Sequence, residues 1–143
     1  MIKELFSHDV ERVVFLQREE NFLDGWNENQ FLSSFKAGNF LLFGIEEGER
    51  LVAFLSASFT VDTCDIEDVL VSANFRKKGY ARLLISHLEK ILTSRGIKEI
   101  FLEVRENNLP AISLYKACGF NLISKRKKYY QDGENALVYK KEI

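Results

Sequence analysis

An α/β fold in a single domain, spanning residues 1–143, is what the sequence predicts. Three observations lead there. The length matches the ~100 to 200 residues that usually make one domain. Stretches with helical period and strand-like apolar runs alternate, with no repeat, low-complexity segment or linker between them. With 46% hydrophobic and 13% aromatic residues, the chain can bury about two-thirds of its unfolded surface, which excludes disorder for most of its length.

The elements follow in order. The alternating start, Met1 to Phe6, suits a short strand. Ser7 or Asp9 can cap a helix over residues 8–20, where Val10, Val13, Val14, Phe15 and Leu16 fall roughly on one side. Asn27 and Gln30 have capping-box spacing ahead of Phe31, Leu32 and Phe35, so a short second helix is expected there. Residues 40–46 and 51–59 are rich in Phe, Leu, Val and Ile and flank Glu47-Gly48-Glu49-Arg50, which reads as a hairpin. Residues 65–71 make a further strand. Ala81, Leu84, Ile85, Leu88, Ile91 and Leu92 recur at helical spacing and stop at Arg95-Gly96. Residues 100–104 form a strand and 108–117 a helix ended by Gly119, with the single proline, Pro110, in its first turn, where a missing amide costs nothing. Residues 120–130 and 136–140 complete a terminal strand pair around Gln131-Asp132-Gly133.

Composition narrows the function. Twenty Lys and Arg against 21 Asp and Glu leave a net charge of −1, which supplies no long-range field to gather nucleic acid or an anionic membrane. No apolar run approaches the ~18 residues of a membrane span, and the N-terminus lacks a basic head and long apolar stretch, so a cytoplasmic protein is expected. Cys64 and Cys118 lie far apart, and with His8 and His87 as the only histidines they fill neither a disulfide framework nor a zinc site. No metal is expected.

The most informative stretch runs from Val69 to Arg82, a strand passing through the loop Arg76-Lys77-Lys78-Gly79 into the long helix. A glycine lets backbone approach an anion, and the free amides of a first helical turn bind phosphate oxygens. It is neither a Walker loop, because no Gly-Lys-Ser/Thr follows, nor a dinucleotide fingerprint, because two of three glycines are missing. On spacing alone, a solvated basic turn is as good a reading.

Here the sequence resembles the GCN5-related N-acetyltransferase family, whose acetyl-CoA motif, Arg/Gln-x-x-Gly-x-Gly/Ala, reads Arg76-Lys77-Lys78-Gly79-Tyr80-Ala81. A second stretch, Leu102-Glu103-Val104-Arg105 through Asn108, Ala111-Ile112 and Leu114-Tyr115 to Gly119-Phe120, is similar to the signature of N-terminal protein acetyltransferases. Arg126 to Tyr130 and Gly133 to Ala136 resemble segments of the bacterial RimI type, with Asn135 and Tyr139 where the pattern has aspartate and methionine. The resemblance implies a mixed, mostly antiparallel sheet that splays at the cofactor site and is flanked by about four helices. It also implies that the amides of Lys77, Lys78, Gly79, Tyr80, Ala81 and Arg82 hold the pyrophosphate of acetyl-CoA. Val69, Leu70 and Val71 pair with the pantetheine arm like an added strand, Asn108 adds a cofactor contact to its capping role, and Trp26, Tyr129 and Tyr130 form acceptor-side walls. The acceptor implied is a protein N-terminus, the alanine of a small-subunit ribosomal protein, and the enzyme is expected as a monomer or weak dimer.

Amine acetylation needs an acceptor for the ammonium proton and a donor for the departing thiolate. Glu103, at a strand end, is the candidate base and Tyr115 the candidate acid. The Val71 amide is a candidate oxyanion donor if the strand bulges there. Each has a plainer use: Glu103 suits an ion pair with Arg105 or another basic neighbour, Tyr115 suits helix-to-sheet packing, and the aromatics suit a core or edge. Cys118 reads as packing, because direct transfer needs no covalent relay. Lys125 to Lys128 reads as a solvated strand face. Asp62, Asp65, Glu67 and Asp68 offer an acidic lining that would suit a small polyamine, so a small-amine acetyltransferase is the second reading and a non-catalytic acyl-CoA-binding module the third.

Overall fold

The computed structural model describes residues 2–143. Ile2–Glu4 forms β1, followed by a 3-10 turn at Ser7–Asp9 and helix α1 over Val10–Glu19. Helix α2 spans Glu28–Ala37, and strands β2 (Phe40–Glu47), β3 (Arg50–Phe59) and β4 (Thr63–Val71) follow. A second 3-10 turn at Ala73–Phe75 leads into α3 (Tyr80–Ser94), then β5 (Glu99–Arg105), α4 (Leu109–Ala117), β6 (Asn121–Arg126) and β7 (Ala136–Glu142). The seven strands form one sheet in the order β1-β2-β3-β4-β5-β7-β6. Every pairing is antiparallel except β4 with β5.

Helices cover both faces of this sheet. Residues of β2 alternate between them: Leu41, Phe43 and Ile45 pack with Leu84, Ile85, Leu88 and Leu92 of α3 and Ile112 of α4. Phe40 and Leu42 pack with Val10, Val13 and Leu16 of α1 and Phe31 of α2. That two-sided burial explains why β2 and β3 read as nearly continuous apolar runs. No helix among the described residues is long and apolar enough to cross a membrane.

Local chemistry sets the ends of the elements. At α2 the Asn27 side chain accepts the Gln30 amide at 2.9 Å and the Gln30 side chain accepts the Asn27 amide at 2.9 Å, the expected reciprocal cap. Asp9 stands at the start of α1 but does not cap it; its carboxylate accepts the Phe6 amide at 2.9 Å and pairs with Arg12. Helix α3 stops at Gly96, whose φ of +76° suits glycine. The terminal pair is shorter than expected, because β6 ends at Arg126 rather than residue 130. Lys128 turns to a φ of +52° and gives its amide to Asn135 Oδ1 at 2.9 Å, so Tyr129 and Tyr130 sit in a folded loop.

Strand β4 makes the feature that matters most. It pairs with β5 only from Thr63–Glu99 to Ile66–Leu102, and beyond that the two strands part. On its other side Ser56 pairs with Asp68 but Ala57 with Ile66, leaving Glu67 as the extra residue of a bulge. The bulge of β4 therefore lies at Glu67, where β4 leaves β5, and not at Val71, so the condition set for a Val71 oxyanion donor is not met by a bulge at that residue.

Candidate active site

The parting of β4 and β5 opens a cavity of about 630 Å3. Glu67, Asp68 and Val69 line it from β4 and Glu103 and Arg105 from β5, while Asn108 and Tyr115 stand at the start and inner face of α4. Asp24 and Trp26 reach it from the loop between α1 and α2, and Arg126, Tyr129 and Tyr130 from the end of β6 and the following loop. The residues singled out by sequence thus divide in two. Trp26, Val69, Glu103, Asn108, Tyr115, Tyr129 and Tyr130 meet in one cavity; Leu70, Val71 and Lys77 to Arg82 lie outside its lining, farther along β4 and at the start of α3.

The backbone of β4 beyond the bulge has two sides. The Ser72 amide donates to the Val52 carbonyl at 2.8 Å, so strand alternation turns Leu70 and Asp68 toward β3 as well, and Val69 and Val71 toward the gap. Arg76 Nε donates to the Val71 carbonyl at 3.1 Å, which places that carbonyl on the open side. An extended chain laid along β4 would pair with Val69 and Val71. Leu70, expected beside them, instead faces β3 with its backbone and puts its side chain into the α1 cluster.

The loop after β4 is shaped for an anion. Lys77 and Gly79 both have left-handed backbone, at φ +65° and +79°, and no side chain caps α3. The first-turn amides, at the positive end of a 15-residue helix, are consequently left for a ligand. The Tyr80 phenol donates to Glu47 at the β2–β3 hairpin and fixes this end of α3. Glu20, at the end of α1, accepts the Ala73 amide at 3.0 Å and tethers the start of the loop.

Electrostatics single out one side chain that sequence reasoning placed only in an acidic lining. Burial, with the charges of Asp65 and Glu103 added, pushes the Glu67 carboxyl up to about 7. Burial, then Glu67 and Asp24, holds Asp68 well above the usual carboxylate range. Glu103 is exposed and ion-paired with Arg126 at 3.3 Å, so the basic neighbour is Arg126 and not Arg105. Burial and the charge of Asp68 raise the Tyr115 phenol, which stays protonated. Asn108 Oδ1 accepts the Ala111 amide at 3.3 Å, the capping role expected of it. Burial raises the Cys118 thiol, which keeps it in its unreactive form.

The aromatic residues of the cavity are held from behind. Trp26 stacks on Phe40 with centroids 5.6 Å apart and meets the edge of Phe31 at 5.4 Å. Its carbonyl accepts from the buried Gln17 side chain at 2.8 Å. A Cβ at Gly25 would run into the Gln17 side-chain amide, which would have to shift and give up its bond to the Trp26 carbonyl. Tyr129 and Tyr130 pack edge to face at 5.1 Å.

Comparison with known proteins agrees with this geometry. The sequence profile of the Acetyltransferase (GNAT) family matches residues 2–120. The [ribosomal protein bS18]-alanine N-acetyltransferase of Escherichia coli (strain K12) is 32% identical over 116 residues, covering 79% of this chain and 78% of that protein. The protein of the same name from Haemophilus ducreyi is 30% identical over 142 residues, covering 96% and 97%. Among solved structures, the ribosomal-protein-S18-alanine N-acetyltransferase from Escherichia coli superposes with a TM-score of 0.87 at 27% identity, covering all of this chain and 93% of that one.

Proposed function

Since the chain belongs to the Acetyltransferase (GNAT) family and is an acetyl-CoA-dependent N-acetyltransferase, we propose that its acceptor is a protein N-terminus, and specifically the N-terminal alanine of a small-subunit ribosomal protein. The observation that carries this reading is the cavity itself. It is a gap between two strands, walled by Trp26, Tyr129 and Tyr130 and floored by carboxylates, a shape that suits an extended chain end carrying an ammonium group. The relatives named for bS18 alanine support the choice of terminus.

In this reading acetyl-CoA lies along β4. Its pyrophosphate sits on the amides of Lys77 to Arg82, its pantetheine arm pairs with Val69 and Val71, and Asn108 borders it. The acceptor comes from the other side of the gap. An α-ammonium of pKa ~7.7 to 8.0 must lose a proton before it attacks. Glu103 receives it, with Glu67 across the gap; a carboxyl lifted to about 7 is poised to exchange protons near neutral pH. The amine attacks the thioester carbonyl, the C–N bond forms, and the C–S bond breaks as the tetrahedral intermediate collapses. The Val71 amide, on the open side of β4, is the candidate donor to the oxyanion. Tyr115, a phenol kept protonated by burial, donates to the departing sulfur.

Free-thiol release from acetyl-CoA tests the acceptor class. The panel is an alanine-starting ribosomal-protein peptide, the same peptide with a blocked N-terminus, free lysine and spermidine. Release with the unblocked peptide alone is expected. Release with spermidine or lysine alone would overturn the reading in favour of a small-amine enzyme that uses Asp65, Glu67 and Asp68 as its cation pocket.

A further inference from the structure

We propose that Arg105 is a positioning residue for the acceptor: its guanidinium straps the two loops that wall the acceptor side of the cavity into one rigid mouth. Arg105 is the last residue of β5. Its Nε and Nη2 donate to the two carboxylate oxygens of Asp24, at 2.6 and 2.8 Å, in the loop between α1 and α2. Its Nη1 donates to both oxygens of Asp132, at 3.1 and 2.9 Å, in the turn between β6 and β7. The flat face of the same group lies 4.1 Å from the centroid of Tyr130. One planar fork therefore spends three nitrogens on two carboxylates and its face on an aromatic wall, geometry that lysine cannot reproduce.

The consequence follows from what each loop carries. The first holds Trp26, the second Tyr129 and Tyr130, and among the described residues Arg105 alone bonds both loops. The second loop is otherwise secured to the end of β5, where the Glu134 carboxylate accepts the Asn107 amide at 3.1 Å and Asn135 donates to Glu106 at 3.0 Å. Without the guanidinium, Asp24 and Asp132 would confront each other as like charges and the aromatic walls would part. The pantetheine and phosphate positions on β4 and α3 have no share in this network. Its signature is thus a change in acceptor binding with cofactor binding untouched.

This inference rests on the acceptor side assigned above, and the experiment separates the two. Wild-type turnover of the alanine-starting peptide tests the acceptor reading alone. The variants are then compared on whichever of that peptide or spermidine the wild type acetylates. Asp132 lies outside the cavity lining, and Asp132→Asn keeps the oxygen that accepts the Glu134 amide at 3.0 Å, so this variant folds even if substitution of Arg105 proves disruptive. Acceptor KM is expected to rise about tenfold in Arg105→Met and a few-fold in Asp132→Asn, with partial rescue in Arg105→Lys and acetyl-CoA KM within about twofold of wild type throughout. The Arg105→Met/Asp132→Asn double variant should be no worse than Arg105→Met alone, because the strap is already cut. An unchanged acceptor KM in Asp132→Asn, multiplicative effects in the double variant, or a parallel rise in acetyl-CoA KM would each overturn the strap.

Discussion

Glu67 and Glu103 line the same gap from opposite strands, and the charge of Glu103 helps to raise the Glu67 carboxyl. The bulge puts Glu67 there; a regular β4 would have kept its alternation and aimed a different residue at β5. That is why the sequence marked Glu103 at once, through its motif, and left Glu67 in a general acidic lining: a one-residue register shift in a strand carries no composition signal. Substitution distinguishes their parts. Glu103→Gln and Glu67→Gln are each expected to lower kcat by about 10²-fold or more, the usual contribution of proton transfer, and Tyr115→Phe to slow thiol release, with acetyl-CoA KM near wild type in all three. Steady-state rates across pH 6 to 9 (bounds of about this size bracket both ammonium and carboxyl titrations) check this, and wild-type kcat in all three variants would remove the acid–base scheme. Glu67 also has a stability signature. Its folded pKa of about 7 stands above the ordinary 4.5, so the folded state holds a proton that the unfolded state releases as pH rises from 4.5 to 7. Folding is therefore penalised above that window and not below it. Glu67→Gln should raise the Tm at pH 8 and leave it little changed at pH 4.5, as thermal melts at the two values would show.

Elements whose ends are fixed by local chemistry were legible in the sequence, and those fixed from outside were not. The reciprocal cap of Asn27 and Gln30 and the apolar seam of α3 needed only neighbouring residues, and both stand where the spacing put them. The end of β6 depended on Asn135, nine residues beyond the strand's last residue, reaching back to the Lys128 amide. The same Asn135 donates to Glu106, a bond that an aspartate at this position could not make. The cap of α2 yields a direct test, since this helix seats Phe31 against the ring of Trp26. Asn27→Ala should lower unfolding stability by about 1 kcal/mol in urea titration, the usual cost of an N-cap lost to alanine.

At the scale of the whole molecule, β4 is the strand on which the proposed mechanism places both substrates. Its β3 side is paired from Cys64 to Val71 apart from the bulge at Glu67, its near half pairs with β5, and its far half is left open, which creates a parallel-strand gap in an otherwise antiparallel sheet. Helix α3 begins in the loop that follows β4, α4 brings Tyr115 into the cavity, and the loops after α1 and β6 close its other side; in the proposed function these are the phosphate end, the reacting centre and the acceptor end. Periodicity showed which strands and helices exist, and the motif around Gly79 marked the loop to which the family resemblance assigns a pyrophosphate. The split between β4 and β5 was available only through family resemblance, because no pattern within either strand reports where its neighbour leaves it. Nor could spacing show that Arg105 joins Asp24 and Asp132, which lie 81 and 27 residues away in sequence.

The most direct test of the account is to locate the acetyl group. Purified protein would be incubated with acetyl-CoA and an alanine-starting ribosomal-protein peptide that also contains an internal lysine, and the product fragmented in a mass spectrometer. A single acetyl group on the α-amine of alanine, lost when Glu103 and Tyr115 are replaced together, is the predicted result. Acetyl on the lysine side chain, or none on the peptide while spermidine is consumed, would contradict it.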